Sequence, residues 1–175
     1  AYVATYDEIT VNGKVIALDN SAETLGCILG IENPDGLEAV SGFRAGVNFI
    51  APHLKILYTA IGSWNDQAAA REIALAQYNQ GAQMIWQDSG SASLGVFTAA
   101  KDTDLFSMGW NNVQHTLDPE HILFSVVKDI PSATYQWMVD WVNGDTFASG
   151  QLDFGCEQDT VYIVWNEYWD APKEV

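Results

Sequence analysis

Between Ile61 and Lys128 short apolar runs alternate with helix-period segments, and a turn rich in Gly, Ser, Asn or Asp follows nearly every run. Strands alternating with helices of 8–15 residues predict a parallel sheet covered on both faces by right-handed crossovers. The fold class expected is therefore α/β. Sheets of this kind hold ligands beyond the carboxyl ends of their strands. That geometry draws Glu32 to Asp35, Ser63 to Asn65, Gln87 to Ser91 and Trp110 to Asn112 onto one rim.

The remaining elements follow in order. Residues 1–20 alternate in β fashion around Asn12-Gly13 and predict a hairpin or two edge strands. Leu25 to Ile31 is a strand entering the turn Glu32-Asn33-Pro34-Asp35-Gly36. A helix follows, with Val40, Phe43, Val47 and Ile50 as one apolar stripe, ended by Pro52. Leu54 to Ala60 is a strand, and Asp66 is placed to cap a helix reaching about Gln80, with Ala69, Ile73 and Ala76 on one face and Gly81 closing it. Met84 to Trp86, Phe106 to Trp110, Ile122 to Val127 and Val161 to Trp165 read as strands. Asp88 to Ser93 reads as a loop, and Leu94 to Lys101 and Tyr135 to Val142 as helices.

Composition narrows the function. The 175-residue chain carries a formal charge of −16, which repels nucleic-acid backbones and anionic membranes and suits an exported or salt-exposed protein. No apolar run is long enough to span a bilayer. The opening residues lack a basic, apolar signal pattern, so any export signal is expected to be removed or to lie upstream. Cys27 and Cys156 stand in no CxxC spacing and are expected to be unpaired thiols rather than a disulfide. His53, His115 and His121 have no zinc-ligand spacing, so no metal or cofactor is assigned. There is no G-x-S-x-G or H-E-x-x-H motif and no Cys/His pair of catalytic type, which points away from an enzyme. A two-carboxylate glycosidase, which has no sequence signature, stays formally open.

Within the rim, Gln87 to Ser93 offers hydroxyls and backbone amides leading into a helix N-terminus, without the Gly-Lys-Ser/Thr ending of a phosphate-binding loop. A sugar or polar small molecule fits this better than a nucleotide phosphate; an ordinary polar loop is the plain alternative. Trp86 is either core or a wall on which a flat ring stacks. Asn111 and Asn112 offer paired donors and acceptors to a diol, or serve a turn. Lys128 is one of only seven basic residues, and either binds a ligand or pairs with a nearby carboxylate.

The ordered motifs resemble the basic membrane protein family of purine-nucleoside-binding lipoproteins of ABC transporters. The family pattern runs "G-s-f/w-x-D", "GaDvifqvaGgtGlGv-x-x-AAk", "GvDsDQ" and "SvvK". Here it reads Gly62-Ser63-Trp64-Asn65-Asp66, Gly81 to Val96 with Ala99-Ala100-Lys101, Gly109 to Gln114, and Ser125-Val126-Val127-Lys128. Gly42 to Val47 is similar to the family's "F-x-x-G-f-x-a-G" helix. The resemblance covers about residues 25–165.

It implies the second, three-layer lobe of a type I periplasmic-binding-protein-like fold over residues 25–175, with residues 1–24 as a β segment outside it. It also implies an extracytoplasmic protein that binds a nucleoside-like solute and delivers it to an ABC permease. Trp86 takes the place of the residue stacking on the base, Asn111 that of the Asp bonding the ribose hydroxyls, and Lys128 that of the Lys on the ribose side. Gln87, Ser89 and Gly90 would contact the ligand's edge. Asn111 is a departure from the acidic ligand, and Ser91 and Ser93 replace loop glycines. The family's first lobe is not recognisable before Leu25, so that lobe is expected from elsewhere or from a second chain. A surface assembly module using strands 1–20, and an extracellular sensing domain, are the alternatives.

Overall fold

A computed structural model describes residues 8–11, 14–17, 23–144 and 154–169. β1 (Glu8–Val11) and β2 (Lys14–Ala17) pair antiparallel with Glu8 opposite Ala17, as a two-stranded sheet of their own. The expected hairpin is therefore present, while Tyr2 to Tyr6 and the Asn12-Gly13 turn lie outside the described residues. The main sheet is built from β3 (Thr24–Leu29), β4 (Lys55–Ala60), β5 (Met84–Asp88), β6 (Phe106–Asn111), β7 (Ile122–Lys128) and β8 (Val161–Trp165). Its spatial order is β4-β3-β5-β6-β7-β8, parallel except for the antiparallel edge strand β8. Placing the last strand antiparallel is the one departure from the parallel sheet expected.

The helices are α1 (Pro34–Ile50), α2 (Gln67–Asn79), α3 (Ser93–Thr103) and α4 (Ile130–Val142). Their starts follow capping chemistry. Asp66 accepts from the Ala69 amide at 3.0 Å, as expected, and Asp129 accepts from Ser132 at 3.0 Å. Asn33 accepts from the Gly36 amide at 2.8 Å. Two starts were read too late from sequence. Pro34 and Pro131 stand in the first turns of α1 and α4, where a fixed φ and a missing N–H cost nothing, so α1 includes Pro34 to Gly36 and α4 starts at Ile130 rather than Tyr135. Similarly, Gly90–Ala92 form a short 3-10 turn and α3 begins at Ser93, within the stretch expected to be loop. Gly81 takes φ 93° after α2, the left-handed stop expected of it.

The sheet has a core on each face. On the first, Leu25, Cys27, Leu29, Met84, Trp86 and Phe106 meet Val40 and Val47 of α1. The second is filled by small side chains: Ala70 and Ala74 of α2 and Val96, Ala99 and Ala100 of α3 pack over Ile28 and Ile85. The buried face of α2 is Ala70, Ala74, Gln77 and Tyr78, one position on from the Ala69, Ile73, Ala76 stripe expected. An alanine-rich helix has no strong apolar direction, so its contact with α3 sets the rotation. In α1, Val40 and Val47 are buried as expected, but Ile50 is half exposed because the helix end overhangs an open groove.

Candidate functional site

The carboxyl ends of the strands are laced together by their own loops. Gly30 donates its amide to Asp88 O at 2.7 Å, and the amides of Gly62 and Ser63 both donate to Gly30 O. Ala92 N and Ser91 Oγ donate to Trp64 O at 3.1 and 3.2 Å. Gly90 has φ 58°, and a Cβ there would stand 2.9 Å from Trp64 O, so this loop needs glycine both for its dihedral and for the approach.

Beyond β5 and β6 these loops enclose a polar cavity of about 200 Å³, lined by Gln87, Ser89, Gly90, Trp110, Asn111, Asn112 and Gln114. Two amides organise it. Gln87 Oε1 accepts from Ser89 N at 3.1 Å and Ser89 Oγ at 2.7 Å, and Gln87 Nε2 donates to Gln114 Oε1 at 3.4 Å. Gln114 Oε1 also accepts from Trp110 N at 2.7 Å, and Gln114 N donates to Ser125 Oγ at 3.0 Å. Gln87 and Ser89 are fully buried, so most of their bonding capacity holds the loops in register. Asn111, with φ 69°, takes a left-handed conformation that Asn tolerates. Its side chain and that of Asn112 have no described hydrogen bond and stand at the cavity mouth.

A different set gathers on the α1 face. Trp86 is 3% exposed, stacked on Phe43 with centroids 5.1 Å apart and met edge-on by Trp110 at 5.1 Å. Lys128 Nζ lies over the Trp110 ring, 4.8 Å from its centroid, a cation–π contact. Burial raises the Asp88 carboxyl above its ordinary value, and the Lys128 charge and the Trp110 indole N–H pull it back. That N–H is near enough to favour the charged carboxylate but makes no hydrogen bond within geometric limits. Trp86 and Trp110 also line an apolar groove of about 610 Å³ running along α1, with Phe43, Val47, Phe124 and Val126 among its walls.

The residues singled out from sequence thus fall into two groups on either side of the sheet edge. Gln87, Ser89, Gly90 and Asn111 surround the polar cavity. Trp86 and Lys128 belong to the α1 face, with Trp110 as a wall common to both. Trp86 carries Phe43 stacked on its ring and Trp110 edge-on against it, which leaves 3% of it exposed. Sequence reasoning missed Gln114, whose only signal is the closing Gln of the "GvDsDQ" pattern, and it put Asp88 on the rim as a loop residue, whereas Asp88 ends β5. Cys27 is a free, buried thiol raised to about 12 by desolvation, and Cys156 a free, exposed one. Among the described residues no cluster of metal-ligating side chains occurs and no helix is long and apolar enough to cross a membrane.

Comparison with known proteins places this geometry. A family model described as Bmp, ABC transporter substrate-binding protein PnrA-like, matches residues 8–174. Basic membrane protein C of Borreliella burgdorferi is 26% identical over 156 residues, 87% of this chain and 44% of that protein. Basic membrane protein A of Borreliella afzelii is 26% identical over 89% of this chain and 49% of its own length. The chain therefore spans less than half the length of these relatives. Among solved structures, a solute-binding protein of an ABC transporter system from Aeropyrum pernix superposes with a TM-score of 0.72 at 23% identity, covering 83% of this chain and 41% of that one. A periplasmic solute-binding protein of an ABC transporter from Actinobacillus succinogenes, solved with D-allose, superposes at a TM-score of 0.59 and 14% identity, covering 83% of this chain and 53% of its own. Both likenesses establish the fold, a type I periplasmic-binding-protein-like lobe.

Proposed function

Because this chain belongs to the Bmp family of PnrA-like ABC transporter substrate-binding proteins, we propose that it acts as one lobe of a solute-binding protein. It holds a nucleoside-like small molecule outside the cytoplasm for delivery to an ABC permease, without chemical conversion. The observation that carries the reading is the polar cavity at the carboxyl ends of β5 and β6, where Asn111 and Asn112 stand with amides uncommitted and Gln87, Ser89 and Gly90 fix the wall. Such amides bond the hydroxyls or the edge of a polar ring, since each offers donors and an acceptor. Lys128 and the indoles of Trp110 and Trp86 supply the flat, cation-flanked side; stacking on Trp86 itself requires Phe43 to move aside.

At about 200 Å³ the cavity falls below the roughly 300–1,000 Å³ of complete small-molecule sites. A second surface, from a first lobe or another chain, has to close it. Calorimetric titration with adenosine, guanosine and inosine, read alongside tryptophan fluorescence, tests the reading. Heat with quenching is the expected result, and silence from every nucleoside sinks it. A second reading, assembly through the N-terminal strands, draws on β1 and β2 forming a separate two-stranded sheet, since such ribbons are marginal alone. Deleting residues 1–20 should then abolish self-association.

A further inference from the structure

β5, β6 and β7 are neighbours in the sheet, and residues two apart on a strand point to the same face. Asp88 follows Trp86, Trp110 follows Met108 and Lys128 follows Val126. A carboxylate, an indole N–H and an ammonium therefore stand side by side at the carboxyl ends, on the α1 face. All three are incomplete. Asp88 is 9% exposed, and the Lys128 charge and the Trp110 indole N–H favour its carboxylate without closing a well-aligned hydrogen bond. Trp110 Nε1 is buried without a partner. Lys128 sits 4.8 Å over the Trp110 ring and pairs with no described carboxylate. A buried polar group without a partner costs roughly 1–3 kcal/mol, so the Trp110 N–H, standing between a carboxylate and an ammonium, marks a place that something else completes.

The chemistry of the row selects its partner. A ligand carboxylate would be repelled by Asp88, and a ligand ammonium by Lys128. A neutral hydroxyl satisfies both sides: its proton goes to the carboxylate, and its lone pairs accept from the indole N–H or the ammonium.

We propose that Asp88 is the specificity-determining residue of the solute site, accepting a hydrogen bond from a ligand hydroxyl that Trp110 Nε1 or Lys128 holds from the other side. The inference rests on the solute-binding reading. The test titrates the wild-type chain, Asp88→Asn and Asn111→Ala with adenosine and with 2′,3′-dideoxyadenosine, which lacks the ribose hydroxyls. Wild type should prefer adenosine by about 10-fold or more, the worth of one hydrogen bond to a charged group. Asp88→Asn should lose that preference while binding the dideoxy compound unchanged, which also shows that the near-isosteric variant is folded. Asn111→Ala should keep most of the preference. Equal weakening of both ligands by Asp88→Asn, or no effect on either, overturns the role of Asp88 and leaves solute binding standing. So does loss of the preference in Asn111→Ala alone. A wild-type chain that binds neither compound overturns both readings together.

Discussion

The two faces of the main sheet are finished differently. On one, α2 and α3 press together over small side chains, Ala70, Ala74, Val96, Ala99 and Ala100 being completely buried. Arg71 on α2 bonds Asp102 on α3 at 2.7 Å, and Tyr78 Oη donates to Phe106 O at 2.8 Å, although Gln77 Oε1 of α2 is buried without a partner. On the other face α1 packs large side chains beside a groove of about 610 Å³. The closed face supplies rigidity. The open face holds Asp88, Lys128 and the unpartnered Trp110 indole N–H beside an unfilled groove, where binding chemistry is available.

The sharpest way to break this contrast is to insert one methyl group into each face. Gly95 on α3 lies against the backbone of α2: a Cβ there would meet Gln67 O and come within 2.9 Å of Arg71 N. Backbone cannot step aside as a side-chain tip can. Gly95→Ala should cost about 3 kcal/mol or more in urea unfolding, the upper range for overpacking. A neutral result would mean that the α2/α3 contact is loose and the two faces are alike.

Gly46 on α1 provides the opposite case. It faces the groove, and a Cβ at this position would meet nothing within 4 Å. Gly46→Ala should therefore raise stability by roughly 0.5–1 kcal/mol through helix propensity alone. Destabilisation in the same urea titration would show that the groove is filled in solution.

The alternation of strands and helices was legible from periodicity, because each apolar run with its turn residues dictates a strand, and Asp66 and Gly81 mark where α2 begins and ends. What escaped was set between elements. The rotation of α2 depends on α3 through Gly95, not on its own alanine pattern. Gln114 holds Trp110 and Gln87 across a span of 27 residues, and no local spacing announces such a bond. The candidate ligand residues were legible as a list through the family motifs. Their separation onto two faces follows from strand parity, Trp86 and Gln87 pointing oppositely, which places Asp88 with Lys128 rather than with Asn111.

Asp88 links the contrast to function through pH. Burial raises its folded-state value, so below about pH 4, where the carboxyl is protonated in both folded and unfolded chains, it exerts no penalty. As pH rises through the ordinary value and up to the raised one, the unfolded chain ionises more readily than the folded chain, and stability is lost. Asp88→Asn removes that loss: it should melt like wild type near pH 3.5 and be the more stable of the two at pH 7. Paired melts at the two pH values measure it. A variant less stable at neutral pH would mean that the carboxylate is satisfied within the free chain, as the Tyr78 hydroxyl of the closed face is. A variant that gains stability while losing adenosine preference would mean that the open face sacrifices stability to keep a hydroxyl acceptor charged.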